Sequence, residues 1–73
     1  MKTYFKKHIS NFCLDDENQT YTQVNLSDTE RAIIKGTSTK VFETLMSIAG
    51  DSDPLSESEF LQSYNTVLAN LSI

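Results

Sequence analysis

Few residues in this 73-residue chain could carry out covalent chemistry. It holds a single His, a single Cys, no Trp and only two Gly, so neither a Gly-rich phosphate loop nor a Cys/His metal set can be assembled from it. His8 and Cys13 stand close in sequence, and an imidazole beside a thiol can generate a nucleophilic thiolate. No third group is placed to orient that imidazole, however, and the plainer reading puts His8 on the surface and Cys13 in a strand as a small apolar filler. Asp15, Asp16 and Glu17 form the densest run of oxygen ligands, yet they lack the spaced donors and central glycine of an EF-hand loop and read as a solvated turn. No catalytic residue, metal ligand or cofactor is expected, and the chain is expected not to be an enzyme.

Groups suited to binding are better represented. All six basic residues (Lys2, Lys6, Lys7, Arg31, Lys35 and Lys40) lie at or before position 40, whereas Glu43, Asp51, Asp53, Glu57 and Glu59 are the only charges after it. The carboxy-terminal half should therefore repel phosphate, which argues against direct nucleic-acid binding through it. Asp51, Asp53, Glu57 and Glu59, with Tyr64 nearby, are the candidate partner-binding residues; their structural alternative is to favour the amino terminus of the helix that follows. Lys2, Lys6 and Lys7 beside Tyr4 and Phe5, together with Lys35, are the candidate anion contacts, the alternative being a solvated, flexible terminus over residues 1–8. Tyr4, Phe5 and Tyr21 lie outside the helical stripes and either bind a partner or pack a hairpin onto the helices.

The elements that must hold these groups can be read from periodicity and caps. Ile9 to Leu14 reads as a strand stopped by Asp15-Asp16-Glu17-Asn18-Gln19, and Thr20-Tyr21-Thr22-Gln23-Val24 as its antiparallel return. Over residues 27–36 a capped helix and a short strand compete, and the strand is preferred because Gly36 would end a helix after about two turns. Val41, Phe42, Leu45, Met46, Ile48 and Ala49 recur at helical spacing, with Thr37, Ser38 or Thr39 as N-cap and Gly50 as a left-handed C-cap. After Asp51-Ser52-Asp53-Pro54, Ser56 and Glu59 form a capping box, and Leu55 with Phe60 a hydrophobic staple. Phe60, Leu61, Tyr64, Val67, Leu68 and Leu71 then make a second apolar stripe. The expectation is an α+β fold: an amino-terminal antiparallel hairpin or three-strand sheet at about 9–35, packed on helices at about 39–49 and 57–71 that lie against each other. The whole chain, residues 1–73, should be one small domain.

The run Ile33-Ile34-Lys35-Gly36-Thr37-Ser38-Thr39-Lys40-Val41-Phe42-Glu43-Thr44-Leu45, continued by Gly50, Leu55-Ser56, Phe60-Leu61 and Tyr64, resembles the start of an OmpR-type winged helix of the ToxR and CadC branch. The likeness spans roughly residues 12–64. It implies a truncated winged-helix domain without recognition helix and wing: residues 65–73 stand as a shortened remnant of the family's third helix, and they contain no Arg or Lys to contact guanine or phosphate.

A core this small rarely supplies more than about 3–5 kcal/mol, which favours a complex with another protein or a homodimer. No stretch has the length of a signal peptide or membrane span, and one unpaired cysteine suits a reducing compartment, so a cytoplasmic location is expected, with no membrane partner. The functional expectation is a small non-enzymatic regulator acting by protein–protein interaction, for example on a transcription factor or a bacterial or phage regulatory component. The alternative is a DNA-binding transcriptional regulator of winged-helix type whose Lys-bearing half meets phosphates.

Overall fold

The computed structural model describes residues 1–71, so the expected helical positions Ser72 and Ile73 lie outside the described residues. The chain forms β1 (Lys2–Lys7), β2 (Ser10–Asp15), β3 (Thr20–Asn25), β4 (Ala32–Gly36), α1 (Thr39–Ala49), β5 (Asp53–Pro54) and α2 (Glu57–Leu71). The five strands make one antiparallel sheet in the order β4-β3-β2-β1-β5, giving an α+β fold with its main strands amino-terminal and its helices carboxy-terminal.

Cross-strand pairs share a face of the sheet, and successive residues alternate between faces. Phe5 pairs with Phe12, Leu14 with Tyr21 and Gln23 with Ile34, so these residues share one face. Tyr4 pairs with Cys13, Cys13 with Thr22, Thr22 with Lys35 and Val24 with Ile33, placing these on the other. The two buried clusters follow that division. Phe42 and Leu45 of α1 pack with Phe5, Phe12 and Leu14, whereas Phe60 and Val67 of α2 pack with Val24, Tyr4, Cys13 and Ile33. The helices therefore cover opposite faces of the sheet, and the expectation that they lie against each other is corrected.

A second finding concerns the amino terminus, for which a solvated, flexible stretch over residues 1–8 is the alternative to an anion contact. Lys2–Lys7 is a strand paired on both sides, and Phe5 is only 1% exposed with its ring stacked on Phe12 at 4.8 Å. The sheet thus begins well before the expected position 9. Over residues 27–36, Ser27 to Arg31 form the connection, closed by the Glu30 N–H donating to the Ser27 carbonyl at 3.2 Å, and Ala32–Gly36 is the strand. Gly36 has a local reason: it stands directly opposite Tyr21, whose ring occupies the space a Cβ at 36 would need.

The helix boundaries fall where the caps were read. Ser38 caps α1, its Oγ accepting from the Val41 N–H at 3.4 Å. Gly50, expected to be left-handed, is right-handed with φ −65°, its N–H closing on the Ile48 carbonyl, so the helix ends by continuing its own twist. At α2 the Ser56 Oγ accepts from the Glu59 N–H and the Glu59 carboxylate accepts from the Ser56 N–H, both at 3.1 Å. Donation to the Glu59 carboxylate, from the Ser56 backbone first and its side chain second, holds that carboxyl below the usual carboxylate range. A lowered folded-state pKa contributes stability above the ordinary value that is lost as pH falls through the folded one. We expect Ser56→Ala to cost about 1 kcal/mol in urea unfolding at neutral pH. Glu59→Gln, which keeps a capping-box residue, should leave a stability profile less sensitive to acid than that of the parent chain.

Candidate functional site

Tyr4 on β1, Cys13 on β2, Thr22 on β3 and Lys35 on β4 are successive cross-strand neighbours, so the register aligns them in a row across the sheet. α2 crosses above that row. Its Phe60 ring sits 5.5 Å from the Tyr4 ring and 6.3 Å from Tyr64, and the Lys35 ammonium lies 5.3 Å from the centre of the Tyr64 ring, a cation–π contact. Between helix and sheet is a cleft of about 200 Å³ whose rim carries Lys2, Lys35, Glu57, Leu61 and Tyr64.

The chemistry at its floor is quiet. Burial first, then the neighbouring Cys13 side chain and Glu57 carboxylate, push the Tyr4 phenol up. Burial likewise pushes the Cys13 thiol up, against the pull of Lys2 and with a further push from Asp15, so Cys13 is a neutral thiol at physiological pH. His8, exposed in the β1–β2 turn with φ 55°, is separated from Cys13 by more than about 10 Å of strand, and the two do not form a dyad. Asp15 is occupied by its own turn: it accepts from the Asn18 amide at 2.9 Å and from the Glu17 N–H at 3.1 Å, and these bonds, the Asn18 side chain first, hold its pKa down.

On the other flank of α2 a groove of about 410 Å³ is bounded by Lys6, Asn11, Leu55, Glu59 and Ser63. Asn11 is buried; its amide donates to the Ser63 Oγ at 2.9 Å while its Oδ1 has no partner among the described residues.

The candidate residues separate accordingly. Glu57 and Tyr64 come together in the cleft with Lys2 and Lys35. Glu59 flanks the groove with Lys6, and Asp53 on β5 stands directly opposite Lys6 on β1. Asp51 is exposed in the α1–β5 connection. Lys7 points to the opposite face from Lys2, Lys6 and Lys35, so the four lysines do not converge on one anion. Sequence reasoning missed Leu61 as a surface residue: it is 46% exposed although its spacing fits the apolar stripe. Its neighbour Phe60 takes the buried position, and a stripe wider than the contact it makes was the available signal. Residues 65–71 are the last turns of α2 rather than a separate third helix. Among the described residues no helix is long and apolar enough to cross a membrane. Comparison of the chain with protein-family models, with curated proteins and with solved structures found no match.

Proposed function

We propose that this protein is a small, non-enzymatic, cytoplasmic regulator that works by docking another protein on the acidic segment leading into α2. The observation that carries this reading is the run of exposed carboxylates at Asp51, Asp53, Glu57 and Glu59, of which Glu57 lines a cleft together with exposed Leu61 and half-buried Tyr64. A carboxylate beside an exposed aliphatic and an aromatic side chain sets a polar rim next to an apolar anchor, the composition of a protein-recognition surface. The partner's complementary surface carries Lys or Arg around an apolar pocket. The resemblance of residues 33–64 to the beginning of an OmpR-type winged helix motivates a regulatory setting, and the lysine-free α2 favours protein over DNA as the target.

The test is affinity capture from a bacterial host extract, comparing the parent chain with a variant carrying D51N, D53N, E57Q and E59Q. The expected result is a specific protein whose retention drops at least about tenfold on neutralisation and weakens with added salt. Capture indifferent to the four substitutions would sink the reading. So would the absence of a protein partner together with salt-sensitive binding of duplex DNA by the parent chain.

A further inference from the structure

A sheet edge is a row of backbone donors and acceptors that another strand can complete, and this sheet has two. One is closed: β5 is only two residues long and ends in Pro54, which has no N–H to give. The other is β4, five residues long, bonded on one side only, to β3. In an antiparallel strand alternate residues direct their N–H and C=O outward, so the outer side of β4 offers a ladder with no covering element among the described residues.

Edges like this are usually guarded by a charge, and the charge on β4 is Lys35. Its ammonium, however, is held over the Tyr64 ring on the α2 face, drawn away from the edge. On the opposite face Ile34 is 44% exposed at the middle of the strand.

We propose that β4 is a self-association edge: a second copy adds its own β4 antiparallel about a two-fold axis at Ile34, joining the two sheets into one. The charges admit a second copy in one register. A two-fold axis normal to the sheet preserves its faces, so the axis must pass through a residue, and the three central choices differ sharply. Centring on Lys35 sets Lys35 against itself, and centring on Ile33 sets Arg31 against the second copy's Lys35, both like-charge pairs that destabilise a ladder. Centring on Ile34 pairs Ile34 with Ile34, Ile33 with Lys35, Ala32 with Gly36 and Arg31 with Thr37, so it contains no like-charge pair and closes an exposed isoleucine against its equal. The acidic groups are also kept apart. α2 runs from Phe60 beside Tyr4 on β1 to Tyr64 beside Lys35 on β4, so Glu57 and Glu59 in its first turn lie on the side away from the axis.

This deepens the reading of the protein as a binding module and rests on it, but the edge and the acidic segment are different surfaces and different variants test them. Sedimentation equilibrium of the parent chain up to about 1 mM should show a monomer–dimer equilibrium. Ile34→Lys, which sets two ammonium groups opposite each other at an exposed position, should weaken the dimer at least about tenfold while keeping the parent circular dichroism and urea midpoint in dilute solution. Under mild oxidant Ile34→Cys should cross-link to itself, Lys35→Cys should not, and an equimolar mixture of Ile33→Cys and Lys35→Cys should give the mixed dimer, with the parent chain controlling for Cys13. A parent chain monomeric throughout that range overturns the proposal whatever affinity capture finds. A dimer that is unaffected by Ile34→Lys, or that fails to cross-link at position 34, overturns it equally, because another surface would then hold the copies together.

Discussion

Phe5→Ala is expected to leave the chain largely unfolded in water at room temperature. Phe5 is 1% exposed, its ring stacks on Phe12 at 4.8 Å, and it packs with Leu14, Phe42 and Leu45 beneath α1. Truncating a buried Phe to Ala costs about 3–5 kcal/mol, because the transfer energy of the ring is lost and the cavity relaxes only in part. A domain this small has a total stability of about the same size, so a single such loss exhausts it. Circular dichroism and urea titration supply the check. The informative control is Lys7→Ala, on the same strand and at no buried apolar contact, which should stay within about 0.5 kcal/mol of the parent. A Phe5→Ala chain with the parent unfolding midpoint would mean that β1 is not part of the cooperative unit.

That such a residue could be mistaken for part of a loose, basic terminus has a physical cause. Strand reading relies on apolar and polar residues alternating, which holds when one face is wet. Here α1 and α2 cover both faces, so the strands that lie beneath them carry apolar residues at both parities: Tyr4 beside Phe5, Cys13 between Phe12 and Leu14, Ile33 beside Ile34. In β1 those residues are few and flanked by Lys2, Lys6 and Lys7, and the lysines dominated the reading. The same blindness set the two helices against each other. A stripe such as Phe42-Leu45 shows that a helix buries one face, but not which surface receives it. Local signals fared better, because a cap is decided within four residues: Ser38, and the reciprocal bonds between Ser56 and Glu59, stand as read. Of the candidate site, the acidic segment was legible by composition. Its division was not, since the pairing of Asp53 with Lys6 and the placing of Lys35 over Tyr64 are products of sheet register.

The two-sided architecture has a consequence that separates it from a helix pair packed face to face. Phe60→Ala should cost about 3–5 kcal/mol, as at Phe5, since Phe60 is buried and holds α2 to the sheet through Tyr4 and Val24. Its milder relative Phe60→Leu, combined with Phe42→Leu, keeps enough stability for a double-mutant cycle. Phe42 belongs to the cluster on one face of the sheet and Phe60 to that on the other, and among the described residues none packs in both clusters. Substitutions without shared partners add to within about 0.5 kcal/mol, whereas side chains in contact show coupling of about 0.5–3 kcal/mol. Phe42 and Phe60 should therefore be additive, while Phe5→Leu with Phe12→Leu, whose rings are stacked, should not be. Strong coupling between Phe42 and Phe60 would require α1 and α2 to share a core, and the sheet would then have one covered face instead of two. In that case β1 would have an exposed side, Phe5 could not be buried while the adjacent Tyr4 is partly covered, and the cleft bounded by Lys35, Glu57 and Tyr64 would lose the floor that β1, β2 and β3 give it.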